Sequence, residues 1–126
     1  MKITIPFLFL LTVNFLCTQT PDKIVQKQVD SYNTGNLDAF VNCYTKDVVV
    51  RKFPSDTLYI GYEKMRMNFS VLSSTTIMTV VKVVNRIIIG NKVIDEEYIT
   101  ANGNKFSAVA IYEVKNDKIA KVTFLR

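Results

Sequence analysis

This sequence predicts an α+β fold in which a strongly curved antiparallel sheet wraps three N-terminal helices into a cone-shaped barrel. Three observations carry the prediction. Apolar residues recur at helical spacing from Val25 to Leu72. A β-branched run at 47–52 and a shorter one at 58–60 interrupt that pattern. From Ile77 onward, three pairs of turn residues (Gly90-Asn91, Asn102-Gly103 and Asn116-Asp117) divide a long β-branched and aromatic stretch into successive strands.

The first helix starts at Thr20-Pro21-Asp22: threonine suits the cap, proline tolerates the first turn, and the aspartate meets the positive end of the dipole. Val25, Val29 and Tyr32 share its apolar face. Gly35 stops it, and Asn36 caps a second helix in which Leu37, Phe40, Val41 and Tyr44 fall at i, i+3, i+4 and i+7. A strand from Asp47 to Lys52 turns at Pro54-Ser55-Asp56 into a brief strand at Leu58-Tyr59-Ile60. After Gly61, Tyr62, Met65, Phe69 and Leu72 repeat at helical spacing, and Ser73 to Thr76 close this third helix.

The rest is a four-stranded meander. With two-residue loops, Arg86 opposes Asp95, Val84 opposes Glu97, Glu97 opposes Ala108, Asp95 opposes Ala110, and Ala110 opposes Thr123. Alternation then puts these residues on one face with Phe106, Tyr112 and Lys121, and places Val83, Ile87, Ile94, Val109, Ile111, Val122 and Phe124 on the other. A single bulge would exchange parts of the two faces.

Residues 1–19 combine Lys2, an apolar stretch from Ile5 to Cys17 and a polar exit, which reads as a signal peptide cut near Gln19. The apolar run is too short for a membrane span, which needs about 20 residues. Leu16 stands where an acylated Cys17 would want a small neighbour. The expectation is an exported protein, periplasmic or secreted and free of the membrane after cleavage, with one domain over 20–126. Cys43 is then its one thiol, a buried small hydrophobe without a disulfide. Loss of Lys2 lowers the net charge from +5 to +4, and the basic residues are scattered without interleaved aromatics, so no nucleic-acid partner is expected. Histidine is absent and no nucleotide or metal-ligand spacing occurs, so neither cofactor nor metal is expected.

The segments YNTGNLDAFVNCYTKDVVV (32–50), NRIIIGNKVIDEEYIT (85–100) and AVAIYEVKNDKIAKVTFLR (108–126) resemble the nuclear transport factor two-like superfamily, whose fold is also described as cystatin-like, and within it the SnoaL-like and ketosteroid-isomerase-like branches. The resemblance implies a pocket inside the cone but no single activity, because this fold hosts isomerases, cyclases, dehydratases, hydrolases and non-catalytic proteins. The ketosteroid-isomerase mechanism needs a carboxylate base and an oxyanion hole of a tyrosine with a protonated carboxylic acid. By matching position these fall near Lys52, at Gln28 and at Ala110, none of which can serve. The resemblance therefore implies that this chain is not a ketosteroid isomerase of that mechanism.

Asp95 and Glu97 remain as candidate catalytic carboxylates, on one strand face beside the small Ala108 and Ala110. Either one lies desolvated in the cone with a raised pKa, or Arg86 pairs with Asp95 across the strands while Glu97 reaches solvent or a lysine. The expected ligand-binding residues are Tyr32, Tyr44, Phe53, Tyr59, Met65, Phe69, Arg86, Phe106, Ala108, Ala110 and Tyr112, of types that equally build a core. Three functions fit these residues. The first is binding of a small, largely apolar molecule by a homodimer paired through the sheet. The second is a SnoaL-like isomerase, cyclase or hydrolase with Glu97 or Asp95 as base and Tyr112 or Tyr32 as donor. The third is a scaffold whose apolar sheet face recruits an envelope protein.

Overall fold

The computed structural model describes residue 2, residues 19–73 and residues 79–126. Helix α1 (Pro21–Asn33) and the short α2 (Leu37–Val41) lead into β1 (Tyr44–Lys52) and β2 (Asp56–Ile60). Helix α3 (Tyr62–Asn68) and a 3-10 turn (Ser70–Ser73) follow, and then β3 (Thr79–Ile89), β4 (Lys92–Ala101), β5 (Asn104–Lys115) and β6 (Lys118–Leu125). The proposed leader lies almost wholly outside the described residues, as does the stretch from Ser74 to Met78 expected to end the third helix and begin the meander. Among the described residues no helix is long and apolar enough to cross a membrane.

One six-stranded sheet in the order β2-β1-β6-β5-β4-β3 curls around the helices. All its pairings are antiparallel except β1 with β6, which is parallel and which hairpin signals alone do not announce. The three turns fall where expected, with left-handed backbone at Gly90, Asn102, Gly103, Asn116 and Asp117.

Local chemistry sets the helix ends. Thr20 has the extended backbone of a cap but its side chain makes no capping bond, whereas Asn36 Oδ1 accepts from the Ala39 N–H at 3.1 Å. Gly35 adopts φ +70°, and a Cβ there would stand 2.7 Å from the Leu72 carbonyl oxygen. Glycine is thus required twice over, by conformation and by close approach. The second helix is shorter than its apolar spacing suggests: Tyr44 opens β1 and still packs on Phe40, ring centroids 5.3 Å apart. The third helix stops at Asn68, with Phe69 as its C-cap and Leu72 in the 3-10 turn that follows.

Two bulges correct the expected register. Val83 pairs with Glu97 and Asn85 with Glu96, so Val84 is the extra residue of β3. Glu113 pairs with Lys121 and Val114 with Ile119, so Ala120 is the extra residue of β6. Each bulge exchanges the faces beyond it. Ala110 therefore opposes Phe124 rather than Thr123, and Val83, Val122 and Phe124 turn toward the helices. Val84 becomes exposed, and Lys121 joins Glu113 in a 3.3 Å ion pair. The core between sheet and helices includes Val25, Phe40, Val41, Met65, Val93, Ile119 and Val122. Cys43 is a free, buried thiol whose Sγ–H donates to the Ala39 carbonyl.

Candidate functional site

Strand alternation drives two carboxylates inward. Val93, Asp95, Glu97 and Ile99 all face the helices from β4 and all are buried. The two acids meet different fates. Arg86 grips Asp95 with both ends of its guanidinium, Nε to Oδ1 at 2.7 Å and Nη2 to Oδ2 at 2.8 Å. Its Nη1 donates to Gln26 Oε1 on α1 at 3.0 Å. Both oxygens of Asp95 are engaged, and the cross-strand pair ties β3, β4 and α1 together.

Glu97 is 4% exposed and has no guanidinium on it. Its Oε1 accepts from the Tyr112 hydroxyl at 3.0 Å. Burial pushes its pKa up to about 7; the Tyr112 bond opposes that rise, the Asp95 charge adds to it, and Arg126 and Arg86 pull it down. Burial likewise raises the Tyr112 hydroxyl well above the usual phenol range, with the Glu97 charge reinforcing it. The pair is a carboxyl poised near neutrality beside a phenol that stays protonated.

Glu97 and Tyr112 border a cavity of about 90 Å³ inside the cone. Its aromatic side is built from Tyr32, Phe40, Tyr44 and Phe69, with Phe40 and Phe69 at 4.9 Å and Tyr32 edge-on to Phe69 at 6.1 Å. Gln28 and Val29 close it from α1, and Val81, Ile99 and Phe124 from the sheet. Phe124 and Arg126 also border a wider cleft of about 400 Å³ with Lys52 and Leu58, so they stand between the cavity and that cleft. The Arg126 guanidinium lies 5.4 Å from the centre of the Phe106 ring.

Of the residues expected at the site, the cavity brings together Glu97, Tyr32, Tyr44, Phe69 and Tyr112. The others lie elsewhere. Phe53 is half exposed at the β1–β2 turn because its strand ends there. Met65 and Ala110 are fully packed core, and Ala108 is buried opposite Glu97 without reaching the cavity. Tyr59 packs against the core from β2, at the far edge of the sheet. Phe106 serves as the platform for Arg126, and Arg86 and Asp95 are occupied with each other.

Gln28, Val29, Phe40, Val81, Ile99, Phe124 and Arg126 also line the cavity, beyond the ligand contacts expected from the sequence. Gln28 carried a signal, being a polar residue within the apolar repeat Val25, Val29, Tyr32. Phe124 was hidden by the β6 bulge. Among the described residues no group of three His, Cys, Asp or Glu side chains could hold a metal.

Solved structures share this architecture. An uncharacterized cystatin-fold protein from Novosphingobium aromaticivorans superposes with a TM-score of 0.76 at 20% identity, over 86% of this chain and 99% of the other. An NTF2-like protein of unknown function from Cytophaga hutchinsonii gives 0.70 at 19% identity, over 87% and 93%. An LEH-like epoxide hydrolase from M. tuberculosis gives 0.71 at 13% identity, over 82% and 80%. At such identities the likeness establishes the nuclear transport factor two-like fold and not an activity. No curated protein matches this chain. The model of the SnoaL-like domain matches residues 25–122, from the first buried turn of α1 to the inward-facing Val122 of β6, and the chain belongs to the SnoaL-like domain family.

Proposed function

We propose that the protein binds a small, largely apolar molecule inside the cone, anchored at Glu97, without ketosteroid-isomerase catalysis. The observation that carries this reading is an aromatic-walled cavity with one buried carboxyl on its surface. The positions that would hold the isomerase groups carry Lys52, Gln28 and Ala110, and Ala110 is fully buried core. The test is the mass of the protein, taken from its native host, under non-denaturing conditions. An additional small-molecule mass that is lost in a cavity-filling Val81→Phe variant supports the reading. A bare mass, together with no affinity for small aromatic probes, removes it.

A second reading is favoured by the ionisation of Glu97. A carboxyl near pKa 7 beside a phenol donor is suited to general acid-base transfer on the bound molecule. In this reading Glu97→Gln abolishes turnover of the captured compound while leaving its binding in place.

Export and pairing belong to the same proposal. The leader-like residues 1–19 support export, and a native amino terminus at or near Thr20 is the expected result. On the outer sheet face Ile87, Ile94 and Ile111 form a row across three strands, and Val109 pairs with Leu125 beside it. This apolar face supports a homodimer through the sheet, which Ile111→Lys would split into monomers in sedimentation.

A further inference from the structure

Among the described residues Gln28 is the one amide on the cavity wall. It is 6% exposed, and its Oε1 is shut off from solvent with no hydrogen-bond partner among the described residues. A buried acceptor without a donor destabilises the fold, and an aliphatic residue of similar length would fill the same helix position without that penalty. Glu97 faces the same space, and the Tyr112 bond engages Oε1 alone. Two buried polar groups from opposite sides of the cone, one on α1 and one on β4, therefore border a cavity whose other walls are mainly aromatic and aliphatic.

We infer that the cavity recognises a hydroxyl group on an otherwise apolar molecule, held between the Gln28 amide and the Glu97 carboxyl. This deepens the ligand-binding reading above and rests on it. A hydroxyl both donates and accepts, so it supplies the donor that Gln28 Oε1 lacks. Its oxygen is then free to accept from a protonated Glu97, and its rotation also lets it serve the ionised form. Other ligand groups match less well. A carbonyl has no proton for Gln28. An ammonium ion has nothing to accept from a protonated Glu97, and it would have to pass the Arg126 guanidinium, which borders the same cavity. A wholly apolar molecule would leave Gln28 Oε1 without a donor and would cover Glu97 Oε2 without pairing it, which is how such sites reject analogues lacking the hydroxyl.

The probes are phenol, toluene and benzylamine, three single-ring compounds that differ in the group they present. Their affinities are measured by amide NMR titration at pH 6.5 on the wild-type chain and on Gln28→Leu. Phenol is expected to bind at least tenfold more tightly than toluene, with a shift of the Gln28 side-chain amide resonances. Gln28→Leu should lower the ratio several-fold, to what the Glu97 carboxyl alone contributes, and melt no lower than wild type. A Gln28 needed only for folding would instead lower the melting temperature. If the leucine variant does not fold, Gln28→Met carries the same expectation, and the amide shift in the wild type stands independently. Equal binding of toluene and phenol overturns the hydroxyl assignment but keeps the ligand-binding reading. Preference for benzylamine overturns it in favour of a cation site. Unchanged phenol preference in Gln28→Leu removes Gln28, and failure of all three probes removes both readings.

Discussion

The Tyr112 hydroxyl on β5 holds Glu97 Oε1 on β4 at 3.0 Å, joining the two polar groups that the sheet places deepest beside the cavity. The bond favours the charged carboxylate against the burial that opposes it. Tyr112→Phe should therefore raise the Glu97 pKa above its value of about 7. Carbon-13 titration of the Glu97 carboxyl reads this directly. A pKa that stays or falls would show that Tyr112 does not control the site.

Glu97 also makes stability depend on pH. Its folded pKa of about 7 lies above the ordinary 4.5, so the native chain binds this proton more tightly than the unfolded chain does. Its favourable contribution is complete below about pH 4.5 and is lost as pH rises through about 7, for a total on the order of 3 kcal/mol. Glu97→Gln should flatten that fall and be more stable than wild type at pH 8. Urea unfolding of both proteins between pH 5 and 8 provides the comparison, and parallel curves would contradict the burial of this charge.

The Arg86–Asp95 pair is structural, and removing one partner strands the other. Asp95 is fully buried, so Arg86→Met leaves a carboxylate without its counter-charge. The expected cost is about 3–5 kcal/mol. Arg86→Lys should recover only part of it, because an ammonium cannot meet both carboxylate oxygens in the same fork. Denaturant midpoints of the two variants decide; a methionine variant as stable as wild type would show that the pair contributes little.

Gly35→Ala should destabilise by about 2 kcal/mol or more, combining a left-handed backbone with the contact to the Leu72 carbonyl. Gly90→Ala makes a useful contrast. It also has positive φ, but a Cβ there meets nothing within 4 Å. Thermal unfolding should rank Gly35→Ala below Gly90→Ala, and the reverse order would mean that the crowding at Gly35 relaxes freely.

Much of this architecture is legible in the residues because the signals are local. Asn102-Gly103 and Asn116-Asp117 mark turns whose left-handed backbone few other residues tolerate. Asn36 announces a helix start through its own side chain. What the local residues do not announce depends on neighbours far along the chain. The bulges at Val84 and Ala120 leave the β-branched composition of their strands unchanged, so simple alternation places Val83, Val122 and Phe124 on the wrong face. The site divides in the same way. Alternation along β4 puts Asp95 and Glu97 on one inward face, but their different roles depend on which of them Arg86 can reach from β3.

The position of β6 has a consequence for how the chain matures. It follows every other strand in sequence yet lies between β1 and β5, and it alone connects the β1–β2 pair to the rest of the sheet. During synthesis the β1–β2 pair must wait for the whole meander before it gains its second neighbour, and such long-range closure is slow. Until then the incomplete sheet leaves strand edges unpaired on both sides of the gap, one on β1 and one on β5. Closure of the cone thus waits for β6, whichever of the earlier elements forms first.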